Sequence, residues 1–155
     1  MNTISVGLLL EEHRGEIAAT WRIAAGALGG EPALGFAVAP LLRELSLALR
    51  EEGSGRTADA WARVAVLVRS SARPAQLVRE TKLLQRSIWE AIAASGQPVT
   101  PQERVAVDGW ILDALAECVD RLERVRQRLE ALDRPAGEAG IPRAAPPPLP
   151  RGTRA

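Results

Sequence analysis

The stretch Gln76–Ile92, QLVRETKLLQRSIWEAI, decides the fold class, because its side chains sort onto two faces of one helix. At about 100° per residue, its apolar side chains share one broad arc of the helical wheel. That arc contains Leu77, Val78, Thr81, Leu84, Ile88, Trp89, Ala91 and Ile92. The pattern predicts an amphipathic helix with one face in a hydrophobic core.

The opposite face of this central helix is polar and mostly basic. Arg79, Lys82 and Arg86 follow one another at helical spacing, which is typical of a solvated face and is also a candidate docking face for an acidic partner. Two residues break the pattern. Leu83 lies in the polar stripe and predicts a second, smaller contact surface, while Gln85 lies in the apolar arc and needs a hydrogen-bond partner if it is buried.

Composition extends the helical prediction to the whole chain. Ala and Leu dominate the apolar residues, Tyr is absent and Phe36 is the one phenylalanine among 155 residues. Few residues favour strands, so we expect an all-α fold with bundle-like packing of about five helices. The length suits one helical domain, predicted here over residues 1–132. A net charge of +1 argues against a nucleic-acid binder that relies on a strong global field.

Compartment is predicted from cysteine content and hydropathy. Cys118 is the only cysteine, which excludes an internal disulfide and fits a reducing cytoplasm. The chain has no apolar run of the roughly 20 residues that a membrane span needs, and its first residues lack a cleavable signal pattern. We therefore predict a cytoplasmic protein with no membrane partner.

Breaker residues place the other helices. The first is predicted from residue 3 or 5 to residue 27, and the second from residue 34 or 40 to residue 51, followed by a turn at residues 53–55. The third is predicted after Thr57 as its N-cap. Pro74 suits the first turn of the central helix. Thr100 and Glu103 predict a capping box at the start of a long last helix.

The last helix changes character along its length. From Val105 to Val119 it is apolar almost all round, which predicts that other helices cover it on two sides. Its apolar residues then narrow to a heptad seam. The seam consists of Ile111, Leu115, Cys118, Leu122, Val125, Leu129 and Leu132. A seam of this kind predicts an interface with a second copy or with another protein.

Residues 133–155 are rich in Pro, Gly and Ala. Such a composition cannot form a packed core, so we predict a disordered tail. The segment RAAPPPLPR within it has the alternative of a polyproline II motif that docks in an aromatic groove.

Two stretches resemble a known family. LVRETKLLQRSIWEAI resembles the helix reading L-V-x-E-Y-x-L-L-R in the N-terminal sensory domain of RsbT co-antagonist proteins, which also precedes bacterial histidine kinases. The opening LLLEEHRGEIAATW is similar to that family's first helix. The matching positions of the central helix are Leu77, Val78, Glu80, Leu83 and Leu84. Thr81 and Gln85 stand where the family has Tyr and Arg.

The resemblance implies a globin-like helical domain that lacks haem, forms dimers and passes signals through its last helix. No kinase or other output domain follows Leu132 in this sequence. The expectation is therefore a free-standing, non-enzymatic, dimeric sensory or adaptor domain of bacterial signal transduction. It would act on a kinase or regulator by protein–protein contact.

Chemistry-bearing residues are sparse. His13, the only histidine, is expected at the edge of an apolar face, and a histidine phosphotransfer site is the alternative. Cys118 is expected as a small buried hydrophobe, with a redox bridge between subunits as the alternative. One His and one Cys cannot furnish a metal-ligand set, and no base is paired with a nucleophile, so we expect no metal, cofactor or enzyme activity.

The four tryptophans are spread over the predicted helices at positions compatible with a core. Core packing is the expected role. Trp21, Trp89 and Trp110, together with Gln85, are a candidate pocket for a small apolar ligand, which gives a third functional alternative.

Overall fold

The computed structural model describes residues 5–50, 57–134 and 145, and within these ranges all regular structure is helical. The helices are α1 (Val6–Glu12), α2 (Arg14–Gly26), α3 (Val38–Arg50), α4 (Thr57–Ala65), α5 (Pro74–Ala94) and α6 (Pro101–Asp133). The prediction of an all-α bundle with a long last helix is confirmed. The tail was predicted from residue 133, whereas α6 continues to Asp133. The residues after Arg134, including the polyproline segment, fall outside the described residues apart from Ala145, as does the turn predicted at residues 53–55.

The first predicted helix is two helices, which raises the number from about five to six among the described residues. The break lies at His13, whose backbone (φ −96°, ψ 7°) leaves the helical path. It lets α1 pack on α3 while α2 packs on α5. Gly7 shows how closely α1 approaches, since the Ser46 hydroxyl donates to the Gly7 carbonyl at 2.7 Å. The apolar periodicity of the sequence continues past His13, but the packing of α1 on α3 and of α2 on α5 divides the segment into two helices.

Two other predicted starts differ from the structure by one or a few residues. The second helix begins at Val38, because the backbone amides of Ala33 and Leu34 donate to the Glu80 carboxylate and residues 33–37 form turns. Thr57, predicted as an N-cap, is already part of α4.

The two longest helices begin and end as predicted. Pro74 opens α5 after an extended Arg73, and Gly96 follows its end with φ 71°. At the start of α6, the Glu103 amide donates to the Thr100 hydroxyl at 3.1 Å, and the Thr100 amide donates to the Glu103 carboxylate at 2.9 Å. This reciprocal pair is the predicted capping box.

All six helices contribute to one hydrophobic core. Its largest fully buried side chains include Trp21, Leu42, Leu45, Leu77, Leu84, Ile88, Ile92 and Ile111. Helix α5 packs against α2 on one side and α6 on another, and α4 packs against α6. Within the described residues, every helix is too short or too polar to cross a membrane.

The first half of α6 is covered on one side, not two. Val105 and Leu112 are 72% and 52% exposed, which corrects the prediction for residues 105–119. The neighbours α3, α4 and α5 all contact α6 through the arc that contains Val107, Ile111 and Ala114, so the opposite arc faces solvent.

Candidate functional site

Helix α5 presents the predicted basic face to solvent. The side chains of Arg79, Lys82 and Arg86 are all exposed. The Arg86 guanidinium donates to the Glu90 carboxylate at 2.9 Å, one turn along the helix. An exposed pair of this kind is worth only a few tenths of a kcal/mol, about 0.3–0.5 in helices, so this face is a solvated surface in the fold.

Glu80 is the most constrained polar residue of α5, and the helical periodicity of the sequence did not lead us to predict that it is buried. Its side chain is 2% exposed, and its carboxylate accepts the amides of Ala33 and Leu34 at 3.0 and 2.9 Å. The Trp21 indole donates to the Glu80 backbone carbonyl at 3.0 Å. Glu80 therefore joins α5 to α2 and to the turn before α3. The sequence does contain an indication of this burial, because the helical wheel places Glu80 beside Leu84 at the edge of the apolar arc.

A surface pocket of about 430 Å³ opens beside Glu80, between the turn after α2 and the first turns of α5. Its charged lining residues are Glu31, Arg73, Arg79 and Glu80. The Glu80 carboxylate is already engaged, and Glu31 pairs with Arg69 at 3.2 Å. Pairing with Arg69 neutralises Glu31, so Arg73 and Arg79 remain beside one carboxylate, Glu80, which the backbone amides already occupy.

The predicted tryptophan pocket is divided between separate places. Trp21 is fully buried against Glu80, whereas the Trp89 indole donates to the Asp108 carboxylate at 3.0 Å. Glu80 and Trp89 are nine residues apart on α5, which is about 13 Å along the helix. Gln85 also donates to Asp108, at 3.4 Å, and so finds the partner that its position requires.

Trp110 lies on the side of α6 that faces α4, where it meets Trp61. The two rings have an edge-to-face geometry, with centroids 6.1 Å apart and planes at 65°. Both indole N–H groups are buried and lack a hydrogen-bond partner in the described part of the chain. This pair is part of the packing between α4 and α6 and does not join Trp21 or Trp89.

His13 occupies the junction of α1 and α2, not the middle of a helix face. Its side chain is half-buried, and Nδ1 lies 3.2 Å from the Glu16 carboxylate. The contact engages one ring nitrogen and leaves the other available, so the phosphotransfer alternative stays a prediction. Among the described residues, no three His, Cys, Asp or Glu side chains gather in a group that could hold a metal ion.

The heptad seam of α6 is divided between the core and the surface. Ile111 and Cys118 are buried within the protomer, so they are not available to a second copy, which corrects the prediction of an interface along the whole seam. Leu115 is half-buried against the core. Burial ends at Cys118, since every residue of α6 after it is half-buried or exposed.

The remaining seam residues are accessible. Leu122 and Val125 are half-buried, and Leu129 and Leu132 are 56% and 80% exposed. We call these four residues the open seam. Leu129 and Leu132 extend the same heptad pattern beyond the part that the fold covers, whereas Leu122 also packs against the core.

A groove of about 400 Å³ runs beside the open seam, between the Ser70–Pro74 loop and α6. Its apolar wall is formed by Val119, Leu122, Val125 and Leu129. Arg73, Glu123 and Arg126 are its charged lining residues, and the Arg126 guanidinium pairs with Glu123 at 2.7 Å. We call this the α6 groove.

Cys118 is not poised for redox chemistry. Burial, with a smaller contribution from the nearby Glu117 carboxylate, raises the pKa of the Cys118 thiol to about 11. The nucleophilic thiolate is therefore scarce at neutral pH, and the sulfur is enclosed by the core. A disulfide between two copies would require this part of α6 to leave the core.

Comparison with known proteins finds no match among family models, curated proteins or solved structures.

Proposed function

We propose that this protein is a non-enzymatic sensory or adaptor domain of bacterial signal transduction that acts by protein–protein contact through the open seam. The exposure of Leu129 and Leu132 at the end of α6 is the observation that carries the proposal. Large aliphatic side chains that continue a heptad pattern on a helix surface are typical of helix–helix recognition. The resemblance of the two quoted stretches to a bacterial sensory domain supports the signalling context.

The continuity of α6 supports a role in transmitting a signal. Ile111 and Cys118 are packed in the core, and Leu129 lies on the same helix and the same seam. A change in core packing around the first half of α6 would tilt or rotate the second half. The occupant of the open seam would then respond to an event inside the domain.

The side chains that most often perform catalysis support a non-enzymatic role. His13 lines neither the pocket beside Glu80 nor the α6 groove, and the Cys118 thiol is buried with a raised pKa. Neither is placed as a base or a nucleophile at an open pocket.

The contact surface is tested with a peptide and two matched variants. The peptide is a designed helix of three heptads with Leu at the core positions and Gln at the flanking positions. We expect it to bind the full-length chain, and we expect Leu129→Glu/Leu132→Glu to abolish binding while changing the unfolding free energy by less than about 0.5 kcal/mol. Fluorescence anisotropy measures the binding, and urea unfolding measures the stability.

The matched control is Val105→Glu/Leu112→Glu on the other exposed face of α6, which should leave peptide binding unchanged. Sedimentation velocity over micromolar concentrations measures whether a second copy uses the same seam, as the heptad pattern predicts. Absence of both peptide binding and self-association by the wild-type chain would contradict the proposal.

A further inference from the structure

We infer that the open seam and the α6 groove receive an amphipathic helix with acidic flanks from a different protein, in preference to a second copy of this chain. The inference rests on the proposed function, because it assumes that the open seam is a contact surface. What it adds is the charge of the partner, which follows from the residues on either side of the seam.

The flanks of the open seam are basic. With Leu122 and Leu129 at one core position of the heptad and Val125 at the other, Arg121 and Arg128 occupy one flank and Arg126 the other. Arg73 adds a guanidinium across the α6 groove.

Most of these positive charges are free to meet a partner. Arg126 is paired with Glu123 at 2.7 Å and is discounted. In the described part of the chain, Arg73, Arg121 and Arg128 form no ion pair. The acidic side chains Glu117 and Glu123 already form ion pairs. Glu117 lies 3.4 Å from Arg124 on the outer side of α6, and Glu123 pairs with Arg126.

A second copy matches this surface poorly. Parallel pairing of two seams would bring Arg121 of one copy opposite Arg126 of the other, whose charge Glu123 already matches, so these flanking positions supply no attraction between copies. The acidic residues Asp120, Glu123 and Glu130 lie at outer positions of the heptad, away from the contact. Asp133 is the one acid at a flanking position, so attraction is confined to the last turn of α6.

The Pro-rich tail is a poor occupant for the same reason. Between residues 134 and 155 the sequence has arginines at 134, 143, 151 and 154 and a single acid, Glu138. An acidic helix avoids this conflict, because carboxylates on both its flanks would meet arginines while its apolar side chains cover Leu129 and Leu132. Charge complementarity of this kind selects partners and accelerates association.

The charge preference is tested with two further peptides on the full-length chain. Both keep Leu at the core positions of three heptads, with Glu at the flanking positions in one and Lys in the other. We expect the Glu peptide to bind at least tenfold more tightly by fluorescence anisotropy at low salt, with the difference falling as salt rises because these charges are exposed to solvent.

Charge reversal on the protein should invert this preference. Arg121→Glu/Arg128→Glu is expected to bind the Lys peptide more tightly than the Glu peptide. Arg128→Glu alone, at an exposed position, should narrow the preference and serves if the double variant does not fold. The matched control is Arg79→Glu/Arg86→Glu on the basic face of α5, which should keep the wild-type preference.

The outcomes separate the inference from the proposed function. Equal binding of the Glu and Lys peptides would overturn the acidic partner while the proposed function stands. If the wild-type chain is a dimer and Leu129→Glu/Leu132→Glu dissociates it, a second copy occupies the open seam. That result would also overturn the acidic partner while the proposed function stands. If no peptide binds and the chain stays monomeric, both fail.

Discussion

The two longest helices of this protein meet in the core but are used in opposite ways. In α5, the residue that joins most elements is a buried carboxylate, Glu80, which accepts two backbone amides from the turn before α3. In α6, by contrast, two residues that do not enter the core, Leu129 and Leu132, are aliphatic and exposed. Residue polarity therefore does not by itself tell which positions the fold covers. What decides is whether a neighbouring element reaches the position.

The seam of α6 shows this most directly. Ile111 and Leu132 lie on the same line of the helix, yet one is buried and the other is 80% exposed. The buried residues of α6 lie between Val107 and Cys118, and the residues after Cys118 are half-buried or exposed. A structural role at one end and a binding role at the other are compatible on one helix for this reason.

The largest effect is expected from Glu80. Glu80→Ala would leave the buried amides of Ala33 and Leu34 without an acceptor, at about 1–3 kcal/mol for each group. We expect the free energy of unfolding to fall by about 4 kcal/mol, measured by urea unfolding followed by far-UV circular dichroism.

Glu90→Ala on the same helix is the control for this change. Glu90 is exposed and pairs only with Arg86, so its loss should cost less than about 0.5 kcal/mol. Glu80→Gln should fall between the two, because its amide oxygen can still accept one backbone hydrogen bond. Similar costs for Glu80→Ala and Glu90→Ala would show that the buried carboxylate does not hold α5 to the turn before α3.

The second effect is the reactivity of Cys118, in the covered half of the seam. The pKa of its thiol rises from 9.0 in the reference state to about 11 in the fold, so below pH 9 the native thiolate fraction is about 100-fold lower. We expect a thiol-specific disulfide reagent at pH 8 to react at least about 100-fold faster with the urea-unfolded chain than with the native chain.

The sign of the pH dependence follows from the same shift. The native thiol stays protonated up to its raised pKa of about 11, so the native reaction rate should climb most steeply as pH approaches 11. Burial also disfavours the thiolate in the fold, so stability is fully present below pH 9 and falls between pH 9 and 11. Equal rates for native and unfolded protein at pH 8 would mean that this part of α6 leaves the core readily.

The features that the sequence predicted correctly are local. Pro74 and the Thr100–Glu103 capping box involve residues within one turn of each other, so the pattern contains both partners. The two faces of α5 were also largely predicted, because periodicity depends on neighbouring positions. Val78 is the exception: it is exposed although it lies in the predicted apolar arc.

The features that the sequence did not predict depend on distant residues. Glu80 is buried because amides 46 and 47 positions earlier in the chain donate to it. The break at His13 has no glycine or proline signal at that position, and it follows from the packing of α1 on α3. The division of the seam into covered and open halves depends on which distant elements pack against α6, and a heptad count does not contain that information.

The smallest change in stability is expected from the N-caps of α5 and α6. The Thr100 hydroxyl accepts the Glu103 amide at the start of α6, whereas Arg73 makes no side-chain capping bond at the start of α5. We expect Thr100→Ala to lower the free energy of unfolding by about 1 kcal/mol and Arg73→Ala to leave it within about 0.5 kcal/mol. Arg73→Asp should raise it by about 0.5–1 kcal/mol, because it supplies the missing acceptor and a negative charge at the positive end of the helix dipole. If Arg73→Ala were as costly as Thr100→Ala, the Arg73 side chain would have a structural role in holding the loop over the α6 groove, and its charge could not be assigned to partner binding alone.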